Sequence, residues 1–195
     1  MLKMAVLLSG SGRTLDNFHE RIQKGSLAGQ IQVVIANVKG VLGLTKAKRY
    51  GYPAFYCSDN TGINTILQDY DIDIVCLAGY LKLYSPPKKL ARAVINIHPS
   101  LIPSFCGDGF YGHHVHSAVK ARGCTVSGCT VHFANERFDE GPIILQKSVE
   151  LAYDDDIDTI ADKVFAIECE AFPEAINRVD ERGIDFFWER VRGSV

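Results

Sequence analysis

Short apolar runs alternate with stretches of helical spacing through the first half of the chain, and this alternation leaves few folds open. Met4–Ser9, Gln32–Asn37, Ala54–Cys57, Ile72–Ala78 and Val94–His98 read as strands. Thr14–Lys24, Gly43–Tyr50, Ile63–Tyr70 and a short helix at Pro86–Ala91 read as the segments between them. The run Ile72-Asp-Ile-Val-Cys-Leu-Ala78 is apolar almost throughout, as a strand covered on both faces must be. This order predicts an α/β fold: an open, mostly parallel, Rossmann-like sheet with helices on both faces. The pattern changes after Pro99. Residues 99–123 are loop-rich with one helix expected at His114–Ala121. Ser127–Ala134 and Pro142–Leu151 read as strands, and a long helix runs from about Asp156 to Arg182. Pro173 removes the helical bond to the Cys169 carbonyl and is expected to kink that helix. With no repeat, linker or low-complexity segment, one domain over residues 1–195 is expected.

A formal net charge of −2 and the absence of basic blocks give no reason to expect nucleic-acid binding. No apolar run approaches the ~20 residues of a membrane span. The first residues lack a signal-peptide pattern, so a soluble cytoplasmic protein is expected. None of the six cysteines forms a C-x-x-C pair, so reduced structural thiols and no metal are expected. Cys106 lies in a loop near the site considered next, but nothing in the sequence marks it as a nucleophile.

Three segments carry polar groups that suit chemistry. In Asn96-Ile97-His98-Pro99, strand alternation points Asn96 and His98 the same way, roughly 7 Å apart along the strand. An amide donor beside an imidazole suits oxyanion stabilisation with proton transfer, although two polar groups at a strand end have a bland reading as well. Ser9-Gly10-Ser11-Gly12-Arg13-Thr14 lies between the first strand and the first helix, where free backbone N–H groups attract phosphate. Asp139 and Glu140 stand in a tight loop before an apolar strand, from which a carboxylate can reach His98 and raise its pKa. His132 either lines the same site or is a satisfied core histidine. His113, His114 and His116 read as a solvated loop and helix start. Glu168 falls near the apolar stripe of the long helix, either paired at an edge or aimed at a ligand.

Together these segments resemble the phosphoribosylglycinamide formyltransferases of the folate-dependent formyltransferase superfamily. The resemblance is carried by Leu7–Gly12, Leu77–Tyr80, Asn96–Pro103, Gly128–Phe133 and Asp139–Gln146. It implies a catalytic trio of Asn96, His98 and Asp139, with His98 protonated. It implies 10-formyltetrahydrofolate as cosubstrate, 5-phosphoribosylglycinamide as acceptor, and direct attack of the acceptor amine. Ribotide contacts map to Gly12, Arg13, Thr14 and Glu168. Folate contacts map to Leu81, Lys82, Leu83, Tyr84, Asn96, Asn135, Phe138 and Asp139. A monomer or homodimer is expected. The family usually has Ser-Asn where this chain has Arg13-Thr14, and a longer, arginine-bearing segment where this chain has Ser58–Gly62. A formyltetrahydrofolate deformylase and a sugar-amine formyltransferase are the competing readings. A methionyl-tRNA formyltransferase would bring a second domain, and a non-catalytic nucleotide-binding module would not need the trio.

Overall fold

The computed structural model describes residues 1–192. Its strands are β1 (Leu2–Leu8), β2 (Gly29–Ala36), β3 (Ala54–Tyr56), β4 (Ile74–Leu77), β5 (Val94–His98), β6 (Val126–Phe133) and β7 (Ile143–Glu150). They form one seven-stranded sheet in the order β3-β2-β1-β4-β5-β6-β7. Pairings from β3 through β5 are parallel, and β6 runs antiparallel to both β5 and β7. Met4–Leu8 and Ile74–Leu77 are buried along their length, which explains the uninterrupted apolar runs of β1 and β4.

The helices are α1 (Arg13–Gln23), α2 (Leu42–Arg49), α3 (Asn60–Gln68), α4 (His113–Arg122), α5 (Ile157–Arg182) and α6 (Ile184–Arg192). Right-handed crossovers put α1 and α2 on one face of the sheet and α3 on the other. The chain leaves β1 towards β2 and β3, then returns to β4 and β5 on the opposite side. The strand order therefore reverses between β1 and β4, which opens a crevice at their carboxyl ends. Ser9 N–H donates to the Gly79 carbonyl (3.1 Å), and Leu81 N–H donates to Ser9 Oγ (2.9 Å). These bonds tie the loops after β1 and β4 together across the crevice.

Three local details differ from the sequence expectation, and Pro173 shows a partner that the sequence does not. The helix expected at Pro86–Ala91 is a single 3-10 turn, Lys88–Leu90; three residues cannot hold an α-helical ladder. Ser58–Gly62 is largely the start of α3, because Asp59 caps it by accepting from Gly62 N–H at 2.8 Å. Pro173 does not interrupt α5. Its missing N–H is replaced at the Cys169 carbonyl by the Arg21 guanidinium, Nη2 donating at 3.0 Å. Finally, α6 was not expected. Consecutive Phe186-Phe187-Trp188 hide its helical spacing, yet Phe187 is buried and Trp188 Nε1 donates to the Arg92 carbonyl at 3.0 Å. Among the described residues, no helix is long and apolar enough to cross a membrane.

Candidate active site

The crevice at the strand reversal is a cleft of about 720 Å³. Its floor is the loop from β1 into α1. Gly12 precedes α1 at φ 73°, and a Cβ there would lie 2.8 Å from the Gly43 Cα. Glycine permits both the left-handed turn and the close seat on α2. Gly12, Arg13 and Thr14 line the cleft with the open first turn of α1, a natural anion seat. Arg13 stacks its guanidinium over Phe165, 3.6 Å from the ring centroid, with Nη2 3.6 Å from Asp162 Oδ1. Glu168 also lines the cleft from α5. Burial pushes its carboxyl up to about 7, against the pull of Arg13.

The other end of the cleft holds Asn96, His98 and Asp139. Asn96 pairs with His132, and His98 with Thr130, across β5 and β6, so all four side chains share one face. Asp139 reaches them from the β6–β7 loop at φ 60°. A Cβ on Gly141 would lie 1.7 Å from the Phe133 carbonyl oxygen, so glycine there lets the loop fold tightly onto β6. Asp139 Oδ2 lies 3.4 Å from His98 Nδ1 and accepts Gly107 N–H at 2.9 Å. Asp139 Oδ1 lies 3.5 Å from both Asn96 Nδ2 and His132 Nε2.

The partners fix the ring protons. His98 Nε2 lies 2.8 Å from the Phe105 carbonyl. A carbonyl only accepts, so Nε2 carries hydrogen and Nδ1 faces Asp139. His132 Nδ1 likewise donates to the Phe133 carbonyl at 2.9 Å, leaving Nε2 to accept from Asn96 Nδ2 at 3.2 Å. His132 thus sets the Asn96 amide from beneath: it is 1% exposed and supports the site rather than lining the cleft. Burial lowers the His98 pKa by more than Asp139 and the Phe105 carbonyl raise it, and His132 adds to the lowering. Burial also acts to raise the Asp139 pKa, but the His132 and His98 rings in their charged forms, and the Gly107 N–H, outweigh it and hold the carboxyl below its ordinary value. Together these effects favour a neutral imidazole beside a carboxylate.

A second cleft, of about 640 Å³, opens beside the first. Leu81 and Phe138 face the first cleft, whereas Leu83, Tyr84, Asn135 and Arg137 face the second. The two clefts thus share the same two segments as their dividing wall.

A family model described as formyl transferase matches residues 2–176. The chain belongs to the formyl transferase family. It is 33% identical over 187 residues to phosphoribosylglycinamide formyltransferase of Haemophilus influenzae, covering 90% of this chain and 86% of that protein. It is 37% identical over 188 residues to the human trifunctional purine biosynthetic protein adenosine-3; the match covers 91% of this chain but only 18% of that protein. The solved glycinamide ribonucleotide transformylase 1 of Symbiobacterium toebii superposes with a TM-score of 0.83 at 34% identity, over 90% of this chain and 86% of that one.

The residues named from the sequence divide between the two clefts. The first cleft gathers Gly12, Arg13, Thr14, Leu81, Asn96, His98, Phe138, Asp139 and Glu168. Leu83, Tyr84 and Asn135 line the second. Lys82 turns to the loop before α3, Nζ donating to the Ser58 carbonyl at 3.2 Å. Phe165 and His116 line the first cleft and were missed. Phe165 looks like ordinary stripe in the sequence, and no local signal distinguishes it. His116 was passed over as part of a solvated histidine cluster, yet it is 5% exposed.

Proposed function

We propose that the chain transfers the formyl group of 10-formyltetrahydrofolate to the amine of 5-phosphoribosylglycinamide in purine biosynthesis. The observation that carries this reading is the pair of clefts divided by one wall, with Asn96, His98 and Asp139 in the first cleft beside that wall. Such an arrangement suits two small substrates meeting at a common point. The ribotide occupies the first cleft, its phosphate at Gly12–Thr14 and its sugar towards Glu168. The folate ring occupies the second cleft, against Leu83, Tyr84 and Asn135. Both substrate sites lie on one domain.

The attacking amine lone pair forms the new C–N bond to the formyl carbon, and the carbonyl electrons move to oxygen. Asn96 Nδ2 donates to that oxyanion; one such donor is worth about 3–4 kcal/mol in a dry site. The proton released from the amine nitrogen enters the Asp139–His98 pair. Because the ring is neutral beforehand, the imidazolium forms as the oxyanion does and stabilises it. The same proton then passes to the departing folate nitrogen as the old C–N bond breaks. Relatives named for this reaction support the reading.

The test is to incubate the protein with 10-formyltetrahydrofolate, with and without the ribotide, following folate absorbance and formylated product. Folate consumption that requires ribotide and matches product is expected. Consumption without ribotide would instead mean hydrolysis and would overturn the transferase reading.

A further inference from the structure

Thr130 stands on β6 opposite His98 and is fully buried. Its hydroxyl donates to the Ser100 carbonyl at 2.7 Å. It accepts Ile102 N–H at 3.0 Å and Gln146 Nε2 at 2.9 Å. One donor and two lone pairs are thus all used. Gln146 Nε2 also donates to the Ile102 carbonyl at 3.0 Å, so the loop after β5 is clipped to β6 and β7. Ser100 Oγ then donates across the loop to the Ser104 carbonyl at 2.5 Å. The loop ends at Phe105, held at φ 49°, a left-handed conformation that a bulky residue rarely adopts. Its carbonyl is the acceptor for His98 Nε2.

A neutral imidazole has one proton and here faces two acceptors, the Phe105 carbonyl at 2.8 Å and the Asp139 carboxylate at 3.4 Å. We infer that Thr130 is a positioning residue that selects the His98 tautomer: by clipping the loop to β6 it holds the Phe105 carbonyl on Nε2–H and keeps Nδ1 free to take a proton. Without the clip, the proton moves to Nδ1 against Asp139. The ring can then no longer receive the proton of the amine. The kinetic part of this inference rests on the formyl-transfer reading; the tautomer itself does not.

The test is Thr130→Val, which keeps the side-chain shape and removes the hydroxyl, with Thr130→Ser as rescue. The ¹⁵N resonances of His98 are read in the free protein at a pH where the ring is neutral. In the parent and in Thr130→Ser, Nε2 resonates as protonated and Nδ1 as unprotonated. In Thr130→Val the two exchange or average, and kcat falls by about 100-fold, within the range a placed proton-transfer group contributes, with both KM values little changed. Gln146→Leu, which removes two bonds of the clip from the surface side, moves the same resonances by less and carries the test if Thr130→Val does not fold. Parent-like resonances in the folded variant overturn the inference, whatever happens to kcat. Altered resonances in a protein that transfers no formyl group support the tautomer lock and refute the functional reading instead.

Discussion

Replacing Glu168 by Gln should make the protein more stable at alkaline pH and a poorer binder of the ribotide. The Glu168 carboxyl moves from 4.5 to about 7 on folding because burial penalises its charge. A raised carboxyl pKa means that the folded state binds the proton more tightly than the unfolded one. Stability is therefore unaffected by this group below the unfolded value, declines as pH rises through the interval, and stays reduced above about 7. At about 1.4 kcal/mol per tenfold change in proton affinity, the cost has a ceiling of ~3 kcal/mol. Glu168 lines an open cleft, and cleft water reduces the cost to about 1–2 kcal/mol. For a chain of this length that is a rise of about 2–8 °C in Tm for Glu168→Gln above about pH 8, shrinking to nothing near the ordinary carboxyl range. Thermal melts of both proteins across pH read this directly. A Tm difference independent of pH, or a less stable variant at high pH, would refute the reasoning. A loss of ribotide affinity in the same variant would show what the destabilising carboxylate is kept for.

Because burial holds His98 below the ordinary imidazole value of 6.5 and the neutral ring is the proposed proton acceptor, the acid limb of kcat/KM, which reports the free protein, falls below that value. A limb above it, in a pH–rate profile, would mean that the ring rests charged. Arg13→Ala should raise the ribotide KM by about 10- to 100-fold, the scale of one charge-assisted bond, and leave the folate KM unchanged; steady-state kinetics with each substrate varied decide this. Arg21→Ala leaves the Cys169 carbonyl without its donor and should cost about 1 kcal/mol, read as a lower urea midpoint. An unchanged midpoint would mean that water replaces the guanidinium fully.

The parts of this molecule that follow from local period were legible in the sequence. The apolar runs of β1, β4 and β5 announce a parallel sheet, and strand alternation alone puts Asn96 and His98 on one face. The loop carrying Asp139 was legible through its resemblance to the family. What escaped depends on contacts between distant segments. The protonation of His98 turns on how deeply β6 and the Phe105 loop bury it, which no motif encodes. Leu81 and Leu83 are near neighbours in one segment, yet they face different clefts. Thr130 reads as one more polar residue on a buried strand until its three partners are seen together.

The bond between Arg21 and the Cys169 carbonyl has a reach beyond local stability. Arg21 lies near the end of α1, whose opening turn is the proposed phosphate seat, and Cys169 adjoins Glu168 on α5. Pro173 vacates the α5 carbonyl that α1 grasps through Arg21. The two helices that would grip opposite ends of the ribotide are thereby tied to one another. If the ribotide binds as proposed, their spacing bears on acceptor length: a phosphorylated amine one bond too short or too long would fit one grip and miss the other.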